Sequence, residues 1–175
     1  MIIRKASIYD SIGITKVNVD TWKSAYRGII DQEFLDNMNF EKQKRFFMNM
    51  LSKESLIYVA ESKIGEIVGF TIPEVVKDED NKNRGIVSSI YVLDRYQGEG
   101  VGYKLIEKAV HALVKSEINT MIVWVLKDNP ACGFCEALGG QPRETRLDQI
   151  GGVDYVSIGY VWNDLENDFN FRESK

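Results

Sequence analysis

Ile90-Tyr-Val-Leu-Asp-Arg-Tyr-Gln-Gly-Glu-Gly-Val-Gly-Tyr-Lys104 is the stretch from which this chain is best read. Its β-branched and aromatic residues predict a strand ending near Leu93. Gly98, Gly100 and Gly102 then open a helix expected from about Gly100 to Ser116, with Val101, Leu105, Ala109, Ala112 and Leu113 turned inward. Alternate glycines at a helix start carry a conformational cost, so they call for a reason. They clear side chains from the place where the first free backbone N–H groups point outward. Those groups and the positive end of the helix dipole make an anion site, and phosphate is its usual guest. The Gly-x-x-x-x-Gly-Lys-Ser/Thr pattern of a nucleoside-triphosphate loop is missing. The dinucleotide fingerprint fails too, because its last glycine falls on Tyr103 or Leu105 according to the starting point. The acidic residue that should follow the next strand would be Asp128, which comes late.

Working outward, Leu56–Ala60, Glu66–Ile72 and Ile86–Leu93 read as three strands, the first two joined by a turn at Gly65. Polar Lys77–Asn83 reads as a loop before the third. Downstream, Met121–Leu126 is an apolar strand and Pro130–Leu138 a short helix. Thr145–Leu147 and Asp154–Trp162 form a closing hairpin about a turn at Asp148–Gly152. Upstream, Met1–Ala6 is a first strand and Ser7 opens a capping-box pattern, Ser-x-x-Asp. Ile14, Val17, Trp22, Ala25 and Tyr26 follow at helical spacing. Asp31 and Asn39 can cap two further helices, the second with Phe40, Phe47 and Leu51 on one face. A three-strand meander followed by β-α-β implies an α/β (α+β), three-layer fold, with a mixed central sheet of about seven strands and helices on both faces. The expected organisation is one domain over residues 1–163 and an acidic C-terminal tail over 164–175.

The 175 residues are 44% hydrophobic and 27% charged, enough to bury a core. A net charge of −4 and a pI near 5.2 argue against a nucleic-acid partner. No apolar run is long enough to cross a membrane, and the N-terminus lacks the pattern of a secretory signal. Cys132 and Cys135 are too few for a disulfide scaffold and fit a reducing, cytoplasmic setting. Together they spell C-x-x-C at a helix start, the setting of a redox dithiol, although most of the chain precedes them. As a zinc half-site they lack a second ligand pair, since His111 is the only histidine.

Gln97-Gly-Glu-Gly100-Val-Gly102 resembles the Gln/Arg-x-x-Gly-x-Gly/Ala signature of the GNAT superfamily of acyl-CoA-dependent N-acetyltransferases. Ile90-Tyr91-Val92 resembles the strand that this family sets beside the pantetheine arm. Asn129-Pro-Ala-Cys-Gly-Phe-Cys135-Glu-Ala-Leu-Gly-Gly140 is similar to its Asn-Pro-Ala-x-x-Phe-Tyr-Glu-x-Leu-Gly-Gly motif. The opening Ile3-Arg-Lys-Ala6 with Asp10, and Trp22-Lys-Ser-Ala-Tyr26, also fit.

The resemblance implies acetyl-CoA as cosubstrate, no metal, and direct attack by a primary amine of a small molecule or peptide on the thioester. It implies that backbone groups of Gln97, Gly98, Glu99, Gly100, Val101, Gly102 and Tyr103 hold the pyrophosphate. Ile90, Tyr91 and Val92 would pair with pantetheine, Asn129 would contact the cofactor, and Arg95, Lys104 and Lys108 would offset its charge. Trp22 and Tyr26 would wall the acceptor site, with Phe34 and Phe46 as further aromatics. The family's usual tyrosine acid is Cys135 here, and its usual glutamate is Ile86, with Glu61, Glu66 and Glu74 the nearest alternatives. A thiol can donate a proton but is shorter than a phenol. A CoA-binding sensor without efficient turnover, and more distantly a dithiol redox protein, are the rival functions. A monomer or a homodimer fits equally.

Overall fold

The computed structural model describes residues 1–171. Its elements, in order, are β1 (Ile2–Lys5), α1 (Ser11–Ala25), α2 (Gln32–Asp36), α3 (Phe40–Ser52), β2 (Tyr58–Glu61), β3 (Ile67–Lys77) and β4 (Asn83–Val92). There follow α4 (Val101–Lys115), β5 (Met121–Leu126), α5 (Ala131–Ala137), β6 (Gln141–Ile150), β7 (Val153–Trp162) and α6 (Leu165–Asp168). The strands form one seven-stranded sheet in the order β1-β2-β3-β4-β5-β7-β6. β4 and β5 are parallel, while β1/β2, β2/β3, β5/β7 and β6/β7 are antiparallel, so the sheet is mixed as expected.

The chain resolves into two compact units, Met1–Ile72 with Ser89–Ala109, and Pro73–Ser88 with the residues from Val110 on. The first is built on Ile14 and Val17 of α1, Phe47 of α3, Val59, Val68 and Phe70 of the strands, and Val101 and Leu105 of α4. Its N-terminus is held by charge. Arg4 places Nη1 and Nη2 each 2.8 Å from the Asp10 carboxylate and Nε 2.6 Å from Glu61. The Arg4 guanidinium holds the Asp10 carboxyl below its ordinary range, against the opposing effect of burial. The Ser7 capping box forms through Asp10, but what it starts is a single 3₁₀ turn, Ile8–Asp10, that leads into α1. Asp31 and Asn39 cap α2 and α3 as expected, accepting from Phe34 N and Lys42 N. On α3 only Phe47 is deeply buried; Phe40 turns partly to solvent and Phe46 is 54% exposed.

The second unit packs Met121, Ile122 and Val123 of β5, Cys135 and Leu138 around α5, and Tyr160, Val161 and Trp162 of β7. Two long strands here depart from the sequence reading. β6 runs over ten residues, where only Thr145–Leu147 was expected. The β6–β7 turn is just Gly151-Gly152, at φ +60° and +84°, with Ile150 opposite Val153. Two successive positive φ values suit a tight primed hairpin turn, so Asp148–Ile150 stay in the strand. The expected loop at Lys77–Asn83 likewise shrinks to a turn in which Asp78 N donates to Lys82 O at 2.9 Å. The segment expected as an acidic tail carries α6 and buries Leu165 and Phe169, with Glu166 and Asp168 exposed; residues 172–175 lie outside the described residues. Among the described residues no helix is long and apolar enough to cross a membrane.

Candidate active site

In the first unit, β4 ends at Val92 and one 3₁₀ turn, Asp94–Tyr96, leads to the glycines. Gly98 and Gly100 both sit at positive φ, +76° and +77°, and α4 begins at the next residue, Val101. An L-residue with a side chain is strained in that region, so two non-adjacent left-handed residues demand glycine. A Cβ built on Gly98 meets nothing within 4 Å, which leaves open space over the turn. The turn is tied at its base. Gln97 Nε2 donates to Val92 O at 3.0 Å and reaches Asp94 Oδ1 at 3.3 Å, and Asp94 Oδ1 also accepts from Ser24 Oγ of α1 at 2.9 Å. Bare backbone at the start of α4, a helix of 15 residues, is suited to an anion with several oxygens.

The basic side chains around it are only partly available. Arg95 pairs with Glu66, which also accepts from Tyr96 and lies 3.6 Å from Lys16. Lys108 Nζ stands over the Tyr58 ring at 5.9 Å. Glu66, an alternative to the missing glutamate, is thereby an ion-pair partner, held below its ordinary range mainly by Arg95. Ile86 is paired with Ile122 in the β4–β5 ladder, whose register ends at Val87.

Strand alternation sorts the groups of Ile90, Tyr91 and Val92. Ser89 O accepts from Thr71 Oγ1 at 3.0 Å and Leu93 N donates to Val68 O at 2.9 Å, so alternate residues 89, 91 and 93 address β3. The backbone groups of Ile90 and Val92 therefore point the other way. The Tyr91 side chain meets the expected acceptor residues. Its hydroxyl lies 3.3 Å from that of Tyr26, and its ring packs on Phe70 at 5.6 Å. Tyr26 in turn stacks edge-on to Trp22 at 4.9 Å, and Phe34 lies 6.3 Å from Trp22. The Trp22 indole nitrogen is buried beside the Tyr91 phenol, which is the acceptor next to it. Burial, and then Tyr26, push the Tyr91 phenol well up, so it stays neutral. Phe46 is not part of this cluster; it packs on Phe47.

In the second unit, Asn129 is 9% exposed and its Oδ1 accepts from Ala131 N at 2.8 Å, fixing the entry to α5. Cys135 is 2% exposed, and burial pushes its thiol up to about 12. Cys132 is half-buried and directs Sγ to Leu126 O and Lys127 O at 3.6 and 3.7 Å. A redox dithiol needs a thiol with a lowered pKa, and Cys135 is shifted the opposite way. Tyr160 of β7 was not expected near this helix. Its hydroxyl donates to Glu136 Oε1 at 2.9 Å and meets Cys132, and burial raises its phenol. The inward step of β7's alternation was the available signal for Tyr160, but α5 as its partner was not legible.

A family model described as the acetyltransferase (GNAT) family matches residues 19–139. The chain belongs to the acetyltransferase (GNAT) family. It is an N-acetyltransferase, and the family's reaction moves an acetyl group from acetyl-CoA to an amine. The acetyltransferase is 29% identical over 165 residues to the uncharacterized N-acetyltransferase YuaI of Bacillus subtilis, covering 93% of each chain. Among solved structures it resembles the PaiA N-acetyltransferase of Thermoplasma acidophilum in complex with coenzyme A, with a TM-score of 0.70, 21% identity, and 90% and 96% of the two chains covered. It also resembles yncA of Salmonella typhimurium, a putative acetyltransferase with its cofactor acetyl-CoA, at a TM-score of 0.69, 16% identity, and 95% and 94% coverage. These two likenesses support the fold.

Proposed function

We propose that the acetyltransferase holds acetyl-CoA by the backbone of Gln97–Tyr103 and transfers its acetyl group directly to a primary amine of a small molecule or peptide. The observation that carries this reading is the pair of positive-φ glycines set immediately before a long helix, with open space above Gly98. Backbone N–H groups there suit a pyrophosphate. Ile90 offers pantetheine the backbone groups that do not address β3, and Val92 offers its N–H, its carbonyl being held by Gln97 Nε2. When bound, acetyl-CoA supplies an activated acetyl thioester.

The amine must arrive as the free base. Its lone pair forms the new C–N bond, the C–S bond breaks, and the surplus proton on nitrogen ends on the released thiol, directly or through water. The products are an N-acetyl amine and free CoA. No carboxylate stands at Ile86, and Cys135 is sealed and weakly acidic, so the main contribution is positioning of the two reactants rather than side-chain acid/base work. The reading further places the enzyme in the cytoplasm, with no nucleic-acid or membrane partner and no required metal, consistent with its acidic composition and two free thiols.

The test is release of free CoA thiol from acetyl-CoA across a panel of primary amines, after exhaustive chelation. Amine-dependent release with formation of the N-acetyl product is expected. Release that stops on chelation, or a covalent acetyl-enzyme trapped before amine is added, would contradict the direct metal-free route.

A further inference from the structure

Strand β6 is the last strand of the sheet, bonded to β7 on one side and to no strand on the other among the described residues. Its free side follows from the turn that precedes β7. The two-residue turn at Gly151-Gly152 makes Ile150 and Val153 the pair that exchanges both backbone hydrogen bonds. Alternation then turns the backbone groups of Arg146, Asp148 and Ile150 to β7, and those of Thr145, Leu147 and Gln149 outward. The next ladder agrees: Val156, opposite Leu147, accepts from Lys127 N at 2.9 Å and so addresses β5. The side chains here are unusual for an edge. Leu147 is 66% exposed and Val156 44%, and as cross-strand partners they form one apolar step open to solvent. On the opposite face Arg146 Nε lies 2.9 Å from Asp148 Oδ1, both at the surface. Natural sheets guard such an edge with short strands, bulges or charge. The register shift of β6 lies between Pro142 and Glu144, so Glu144–Ile150 is left regular and unguarded by any kink.

We propose that two copies of this chain pair through β6, antiparallel, with Leu147 on the two-fold axis, so that their sheets join edge to edge. The charge pattern of the strand selects this partner and this register. A symmetric antiparallel pair must set an outward-addressing residue on its axis, which leaves Thr145, Leu147 or Gln149. With Thr145 there, Glu144 meets Arg146, but the pairing runs into the register shift at Pro142/Glu144 and sets Leu147 against Arg143. With Gln149 there, Asp148 meets Ile150 and Leu147 falls opposite the turn at Gly151. With Leu147 there, the whole regular stretch Glu144–Ile150 pairs, Thr145 meets Gln149, and Arg146 meets Asp148 at two symmetric places. Opposite charges facing across strands stabilise the pair, and the charges that repel other edges are here satisfied. On the other face Val156, Leu147 and their two copies fall in one row across four strands and leave water together. The outward backbone groups of Thr145, Leu147 and Gln149 gain strand partners at the same time.

Analytical ultracentrifugation of the wild-type chain at about 100 μM should give a species of twice the 20.0 kDa chain mass. Leu147→Lys sets two ammonium groups opposite each other and should raise the dimer Kd about tenfold or more. Arg146→Asp sets carboxylates opposite at both symmetric places and should weaken the dimer as much. Adding Asp148→Arg to Arg146→Asp reverses both pairs and should return the Kd to within about threefold of wild type. Unchanged circular dichroism reports that these surface variants are folded. The register is read by cross-linking in a Cys132→Ser background, which removes the more accessible native thiol. Leu147→Cys should form a disulfide between chains under mild oxidation, since the opposed Cα atoms lie about 5.5 Å apart. Thr145→Cys should not, because its two copies are then about 14 Å apart along the strands. A wild-type chain that stays monomeric at this concentration overturns the proposal. So does a dimer whose Kd Leu147→Lys and Arg146→Asp leave within twofold of wild type, or one that cross-links through Thr145→Cys and not through Leu147→Cys.

Discussion

The glycine turn of the first unit and helix α5 of the second match their family motifs about equally well as strings of letters, yet the fold treats them differently. The turn needs little from side chains. Gly98 and Gly100 supply unusual backbone angles, and the chemistry offered is a set of N–H groups that any sequence with those glycines would present. Helix α5 would have to act through one side chain at one position, and that position is a thiol with 2% of its surface exposed. Cys in place of Tyr removes reach, and burial then removes the thiol's acidity. Binding by backbone is robust to sequence change in a way that catalysis by side chain is not. Hence cofactor capture is the firmer half of the proposed mechanism, and turnover is assigned mainly to positioning.

The largest expected effect lies inside α5 itself, between its two thiols. A thiol raised to about 12 has lost about three powers of ten of thiolate relative to an ordinary cysteine, and Cys135 is shielded as well. Alkylation of the native enzyme followed by peptide mapping should label Cys132 first, with Cys135 slower by about a thousandfold or more until the protein is unfolded. Comparable rates would mean that α5 opens, and the contrast with the glycine turn would weaken.

The next effect concerns what holds each unit together. Both are packed on apolar cores, to which the first adds the Arg4–Asp10 ion pair at its N-terminus and the second the Tyr160–Glu136 bond. Asp10→Ala leaves a partly buried guanidinium with Glu61 alone, and it should cost about 3 kcal/mol. That corresponds to a fall in Tm of about 6–12 °C for a chain of this size. Because the Asp10 carboxyl is depressed in the folded state, its contribution is complete above the unfolded value near 4 and is lost as pH falls through the lower folded value. Asp10→Asn should therefore flatten the acid limb of a Tm–pH curve; an unchanged limb would assign that limb to other carboxylates.

The smallest effect is the one that bears on catalysis. Cys135→Ala should lower kcat by less than about tenfold and leave acetyl-CoA affinity unchanged, where a true general acid would contribute about 10²–10⁴. A fall beyond a thousandfold, with binding intact, would make Cys135 the acid and place α5 on the same footing as the turn.

How much of this was legible depends on whether the signal is local. Met121–Leu126 was read with its final boundaries because a short apolar run between polar turns has few other uses. The caps at Asp31 and Asn39 were equally local. β6 was mostly missed because Gln141–Ile150 is an edge strand with a largely exposed, polar surface, so pairing with β7 rather than composition makes it a strand. The folded segment around Leu165 and Phe169 was hidden by its acidic neighbours. In the site, the glycines, Gln97, Trp22 and Tyr26 could be named from motif and spacing. The meeting of Tyr26 with Tyr91, and of Glu136 with Tyr160 across 24 residues, exists only once distant elements pack. Burial of Cys135 was invisible for the same reason, and it changes that residue from a candidate acid into a packed core side chain.

The central claim is that the backbone of the glycine turn holds the cosubstrate, and calorimetric titration of acetyl-CoA into wild type and Gly100→Glu tests it most directly. Wild type should bind one equivalent. Gly100→Glu places a charged side chain at φ +77° beside the first turn of α4. It should keep the far-ultraviolet spectrum of the native fold and lose acetyl-CoA binding by about a hundredfold or more. Affinity within threefold of wild type in the folded variant would contradict the account.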